Sequence, residues 1–269
     1  MTKQDAINLL TQKDQLQLLS FYDTLTPEQQ ENLLAQIEGI DWSLLDVLKT
    51  HETVNARGTF APLSAMELSQ IDANRAHLEE VGLQAIREGK VAAVLLAGGQ
   101  GTRLGFDKPK GMYNIGVTRE LYIFECLINN VMEIVKKAGA WIPFYIMTSD
   151  KNYDDTTAFL KEKNYFGYNA EYIHFFKQEM APSVDYNGKL LMEAPDHLSL
   201  SPNGNGGWFS SLCRYGYDKQ MKEAGVEWLT AFAVDNVLQR INDPAFVGAV
   251  IDSGCDCGGM VVRKADPNE

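Results

Sequence analysis

The sequence predicts an α/β fold: a mostly parallel mixed sheet with helices on both faces, preceded by an α-helical N-terminal segment. Two observations carry this. The first 90 residues place apolar side chains at helical spacing behind capping patterns. From Val91 the pattern changes to short unbroken apolar runs alternating with amphipathic stretches. The boundary expected from that change divides the chain into a helical segment, 1–90, and an α/β segment, 91–269.

In "TLTPEQQENLLAQI", Thr26 is placed to cap a helix, Pro27 suits its first turn and Gln29 completes a capping box. Leu33, Leu34 and Ile37 then share one face. "LSAMELSQ" repeats the device with Ser64 and Glu67, and a third helix is expected through "NRAHLEEVGLQAIREG", stopping near Gly89. "VAAVLLA" reads as a strand buried on both faces. Further strands are expected at "PFYIMTS", "AEYIHFF", "WLTAFAVD" and "GGMVVR". Helices are expected between them at "LYIFECLINNVMEIVKKAG", "DDTTAFLKEKN", "FSSLCRYGYDKQMKEAG" and "PAFVGAVIDSG". Within "VDYNGKLLM", Asn187-Gly188 is a hairpin signal.

The composition, 45% hydrophobic and 22% charged over 269 residues, is that of a globular protein. No apolar run approaches the roughly 18 residues of a membrane span, and "MTKQDAINLLTQKDQ" lacks the features of a secretory leader. A cytoplasmic protein is expected. A net charge of −12 argues against nonspecific attraction to nucleic acid or anionic membrane. Cys126, Cys213, Cys255 and Cys257 read as free thiols, and His51, His77, His174 and His197 have neither metal-site nor triad spacing.

The segment "LLAGGQGTRLGFDKPKG" follows the first expected strand, at the sheet edge where open α/β folds bind ligands. Gly98, Gly99 and Gly101 remove side chains, so that peptide N–H groups can approach phosphate oxygens. Arg103 offers a planar fork of donors, and Lys108 and Lys110 offer point charges. A Walker A loop is absent, and a dinucleotide fingerprint fails because the glycine after Gly99-Gln100-Gly101 comes one place late, at Gly105. A glycine turn with incidental charge is the plain alternative for the loop alone.

The loop, followed by "PFYIMTS", "YFG", "FFKQEMAP", "SPNGNGG", "FAVDNVL" and "DPAFVGAVI" in that order, resembles the UDP-N-acetylglucosamine and UDP-sugar pyrophosphorylase family. The resemblance is strong over 90–269 and loose before it. It implies the Rossmann-like fold of nucleotide-diphospho-sugar transferases and an enzyme that joins UTP to a sugar 1-phosphate with Mg²⁺, releasing pyrophosphate. It implies that the backbone around Leu96, Ala97, Gly98 and Gly99 holds the nucleotide and that Arg103 and Lys110 neutralise the triphosphate. It further implies that Gln178 reads uracil, that the Gly204 backbone meets the uracil and that Asn205 contacts the nucleotide or sugar. Asp235 in "FAVDN" follows an apolar strand, so its carboxylate is expected at the same sheet edge as the glycine loop. There it can hold Mg²⁺, with Asn236 supporting the loop; an aspartate capping the next helix is the plain alternative. The chain is shorter than is usual for the family and stops at "VVRKADPNE", in a stretch resembling the middle of the catalytic domain. The C-terminal part of the family fold is therefore expected to be absent and the sugar site incomplete. A nucleotide-binding chain without catalysis, and a nucleotidyltransferase of other base or sugar specificity, are the alternative readings.

Overall fold

A computed structural model describes residues 1–43, 45, 59 and 65–266. The chain divides into two compact units, Met1–Leu63 with Met180–Asn203, and Ser64–Glu179 with Gly204–Glu269. The cut expected near residue 90 falls inside the second unit, because the helix that precedes the first strand packs with the sheet.

In the first unit, α1 (Lys3–Gln12) and α2 (Pro27–Glu38) begin with capping boxes, and that of α2 uses Thr26, Pro27 and Gln29 as the sequence indicated. Leu10, Leu18, Leu33 and Ile37 form a small core with Leu190 and Leu198 from the segment 180–203. Two glutamines tie that segment to the helices in the manner of a backbone partner. The Gln15 carboxamide donates to the Gly188 carbonyl at 2.9 Å and accepts from Leu190 N–H at 2.9 Å. Gln36 does the same with the Asp196 carbonyl and Leu198 N–H, each at 2.9 Å. The hairpin at Asn187-Gly188 is present with a longer loop than the dipeptide suggests. Asp185 N–H pairs with the Lys189 carbonyl, Gly188 takes φ +76°, and Asn187 stays at negative φ.

The second unit is built on four parallel strands, β1 (Val91–Leu96), β2 (Phe144–Thr148), β3 (Ile173–Lys177) and β8 (Trp228–Ala233), in the order β3-β2-β1-β8. The short strands β4 (Met180–Pro182), β5 (Met192–Ala194), β6 (His197–Leu198) and β7 (Leu200–Pro202) belong to the hairpin segment of the first unit. The apolar run of β1 is read alternately by two cores. Val91, Ala93 and Leu95 join Phe144 and Ile146 under α4 (Ile123–Ala138) and α5 (Tyr153–Glu162), while Ala92 and Val94 join Tyr145, Met147 and Phe176 under α6 (Trp208–Arg214) and α7 (Tyr217–Glu223). Helices thus cover both faces, which is why no polar residue interrupts the strand.

The helix before β1 is one element, α3 (Leu68–Arg87), in place of the two expected. It starts after Glu67, whose N–H is accepted by the Gln70 side chain, so Glu67 stands at the cap and not three residues inside it; Ser64 lies outside the described residues. It ends as expected before Gly89, at φ +73°. "FSSLCRYGYDKQMKEAG" is two helices, broken at Gly216 with φ +76°. The strand expected at "GGMVVR" does not form. Val261 and Val262 are 78% and 92% exposed and no strand among the described residues pairs with them, so their β propensity has neither ladder nor core to act on.

Helix α3 crosses α8 (Pro244–Asp252) at two glycines. A Cβ at Gly82 would stand 2.0 Å from the Pro244 carbonyl oxygen, and one at Gly248 would stand 1.8 Å from that of Leu78. Gly82→Ala is expected to lower stability by about 3 kcal/mol, read as a reduced midpoint in urea with an unchanged slope. An undiminished midpoint would contradict this packing.

Candidate active site

Strand β1 delivers the chain to the loop 97–110. Ala97 N–H donates to the Met147 carbonyl at 2.9 Å, and the Leu96 carbonyl accepts from Val234 N–H at 3.1 Å, so the strand end is tied to both neighbours. The loop closes on itself through Gly101 N–H to the Lys108 carbonyl at 2.9 Å and Lys110 N–H to the Gly99 carbonyl at 3.3 Å. Between these ties, the N–H groups of Gly98, Gly99 and Gln100 have no acceptor among the described residues. Three successive free amide donors form the kind of array that receives phosphate oxygens. Of the four backbone positions expected to hold a nucleotide, Gly98 and Gly99 leave donors free; Leu96 and Ala97 are engaged inside the fold.

The glycines differ in purpose. Gly99 faces open space, as the phosphate reading requires. At Gly98 a Cβ would stand 2.6 Å from the Gln178 side-chain nitrogen, and at Gly101 it would stand 2.9 Å from Phe106. Gly98 is thus bare to admit Gln178. That residue follows β3, is 6% exposed, and is fixed by its N–H to the Thr148 carbonyl at 2.7 Å. Its carboxamide makes no hydrogen bond with the described residues, which leaves a donor and an acceptor side by side for a ligand.

Asp235 lies two residues past β8, the neighbour of β1, and its Oδ1 accepts from Lys110 Nζ at 2.6 Å. The sheet edge therefore brings together two charges 125 positions apart. The Asp235 side chain is 64% exposed and that of Lys110 22%. Asn236 Oδ1 accepts from Leu238 N–H at 3.1 Å, the loop support expected of it. Arg103 lies on an exposed single turn, Thr102–Leu104, and its guanidinium has no protein partner among the described residues. Gly204 opens the turn Gly204–Gly207 with φ +71°, and Asn205 is exposed. Ser211 fastens this turn beside Gln178: its hydroxyl donates to the Gly207 carbonyl at 2.8 Å and accepts from Glu179 N–H at 3.0 Å.

Asp235 supplies a single hard oxygen donor group. Among the described residues no three His, Cys, Asp or Glu side chains gather as a metal site. That donor set suits Mg²⁺, which takes one or two carboxylates and completes its octahedron with phosphate oxygens and water. It does not suit a metal caged wholly by protein.

The described histidines have partners of their own. His77 meets Asp252, His197 meets Asp196, and His174 stacks on Tyr145 where burial lowers its basicity. His51 lies outside the described residues. One participant escaped the sequence reading. Asn152, fully buried, donates from Nδ2 to the carbonyls of Ala97 and Gly99 at 3.0 and 3.4 Å. Its available signal was position alone, since it stands at the start of α5 just past β2.

The family described as UTP–glucose-1-phosphate uridylyltransferase matches residues 33–269. The chain belongs to this family. It is 33% identical, over all of its length, to UDP-N-acetylhexosamine pyrophosphorylase-like protein 1 of Mus musculus. It is 34% identical over 99% of its length to UDP-N-acetylglucosamine diphosphorylase 2 of Arabidopsis thaliana. It spans 57% of the length of each of these relatives. Among solved structures, the UDP-N-acetylglucosamine pyrophosphorylase of Trypanosoma brucei in complex with inhibitor superposes with a TM-score of 0.76 at 28% identity, covering 94% of this chain and 55% of that one. UDP-glucose pyrophosphorylase of Leishmania major, at 18% identity and a TM-score of 0.54, shares the fold. The resemblance seen in the ordered motifs, and the parallel sheet it implied, hold for this family member. No helix among the described residues is long and apolar enough to cross a membrane.

Proposed function

We propose that this chain carries the nucleotide-binding half of a uridylyltransferase that joins UTP to a sugar 1-phosphate, forming a UDP-sugar and pyrophosphate. UDP-N-acetylglucosamine is the product we favour, since that sugar nucleotide stands in the names of several relatives. The observation that carries the reading is the meeting, at one sheet edge, of three free amide donors, the Lys110–Asp235 pair and the unpartnered Gln178 carboxamide against Gly98.

In this reading the amides of residues 98–100 hold phosphate oxygens, and Lys110 and Arg103 offset the charge that gathers on the departing pyrophosphate. Gln178 reads the uracil edge, while Gly204 and Asn205 close over the nucleotide. An oxygen of the sugar phosphate attacks the α-phosphorus in line, its bond to phosphorus forming as that of the pyrophosphate oxygen breaks. Fixed position and fixed charge supply the acceleration, with no covalent enzyme intermediate. Asp235 would hold Mg²⁺, which when bound offsets phosphate charge as a Lewis acid. We place the protein in the cytoplasm, consistent with free thiols at Cys126, Cys213, Cys255 and Cys257.

Competition among UTP, dTTP and GTP in a calorimetric titration with Mg²⁺ tests the assignment of the base. UTP is expected to bind tightest, and equal binding of GTP would contradict the role of Gln178. Pyrophosphate release on addition of a sugar 1-phosphate separates the enzyme from a chain that binds nucleotide without catalysis.

A further inference from the structure

Asn152 begins α5, yet its side chain makes no capping bond to that helix, although asparagine at such a position ordinarily accepts from the helix's second or third N–H. Its Oδ1 accepts instead from Ser149 N–H at 2.7 Å, which locks the carboxamide, and both Nδ2 bonds go to the glycine loop. A peptide unit is planar and trans, so a carbonyl and the N–H of the following residue point in opposite directions. Drawing the Ala97 carbonyl toward Asn152 turns Gly98 N–H away from it, and drawing the Gly99 carbonyl does the same to Gln100 N–H. These are the first and last of the three free donors. Glycines 98 and 99 would otherwise leave the segment many conformations of similar energy. We infer that Asn152 is a positioning residue: from behind the loop it sets the direction of the donor array that receives the nucleotide's phosphates. The inference rests on the phosphate reading of the loop.

Asn152→Ser separates this role from a merely local one. Serine starts helices as well as asparagine does, but it is too short to reach both carbonyls. Two readouts apply to the folded variant: the ¹⁵N–¹H signals of Gly98, Gly99 and Gln100 without ligand, and the affinity for UTP with Mg²⁺. The expected result is displaced loop signals and binding weakened about tenfold or more, the loss of one to two hydrogen bonds' worth of order. Asn152→Asp, which keeps the Ser149 acceptor but turns a carboxylate toward two carbonyls, is expected to lose at least as much and serves if the serine variant does not fold. Loop signals at their wild-type positions overturn the inference, and so does wild-type affinity despite displaced signals. If the wild type itself fails to bind UTP, the phosphate reading falls, and the ligand-free signals alone decide whether Asn152 orients the loop.

Discussion

Lys110→Ala is expected to slow UTP-dependent pyrophosphate release by about 100-fold or more while leaving the fold intact. Lys110 stands at the base of the glycine loop, its backbone N–H donating to the Gly99 carbonyl and its ammonium Nζ to Asp235. Charge that grows on a leaving pyrophosphate is stabilised most by a cation already in place, because no reorganisation is then needed as the bond breaks. The same substitution costs little stability. The Lys110–Asp235 pair is partly exposed, and such pairs contribute about 1 kcal/mol or less. A steady-state assay beside a thermal melt checks both halves: a normal rate contradicts the role of Lys110, and a collapsed melt contradicts its separation from the fold.

Asp235→Asn is expected to remove most of the Mg²⁺ dependence, with a loss of activity at saturating Mg²⁺ on the order of 100-fold. Asparagine preserves the shape and an oxygen but not the charge that a small divalent cation requires. The Lys110 contact makes a second outcome distinctive. With the carboxylate gone, Lys110 is released toward phosphate, so UTP binding without metal is expected to hold steady or tighten even as the gain from added Mg²⁺ shrinks. Calorimetry with and without Mg²⁺ reads this directly. A variant that keeps the wild-type gain shows that the metal is held elsewhere; one that loses UTP in both conditions shows a damaged loop.

The architecture of the second unit was legible because β1 is read by two cores. An uninterrupted run from Val91 to Leu96 has no simpler explanation than burial on both faces, and the elements that follow alternate. Strand-end reasoning also placed Asp235 at the glycine loop's edge, though not its contact with Lys110, which depends on loop paths the spacing does not encode. Three features were illegible for related reasons. Gln15 and Gln36 look like surface residues until the hairpin more than 150 positions away supplies their partners. Asn152 bonds to carbonyls, which have no residue-type signature. "GGMVVR" has the composition of a strand, but composition cannot report that a neighbouring ladder is missing.

In the proposed complex UTP's phosphates sit on the amides of residues 98–100, with the uracil edge at Gln178. A crystal of the chain soaked with UTP and Mg²⁺ decides between this placement and any other. The expected map places triphosphate oxygens within hydrogen-bond reach of those three amides and of Lys110, and the base against the Gln178 carboxamide. Nucleotide density at any other place, or an empty loop at a concentration that saturates binding in solution, contradicts the account.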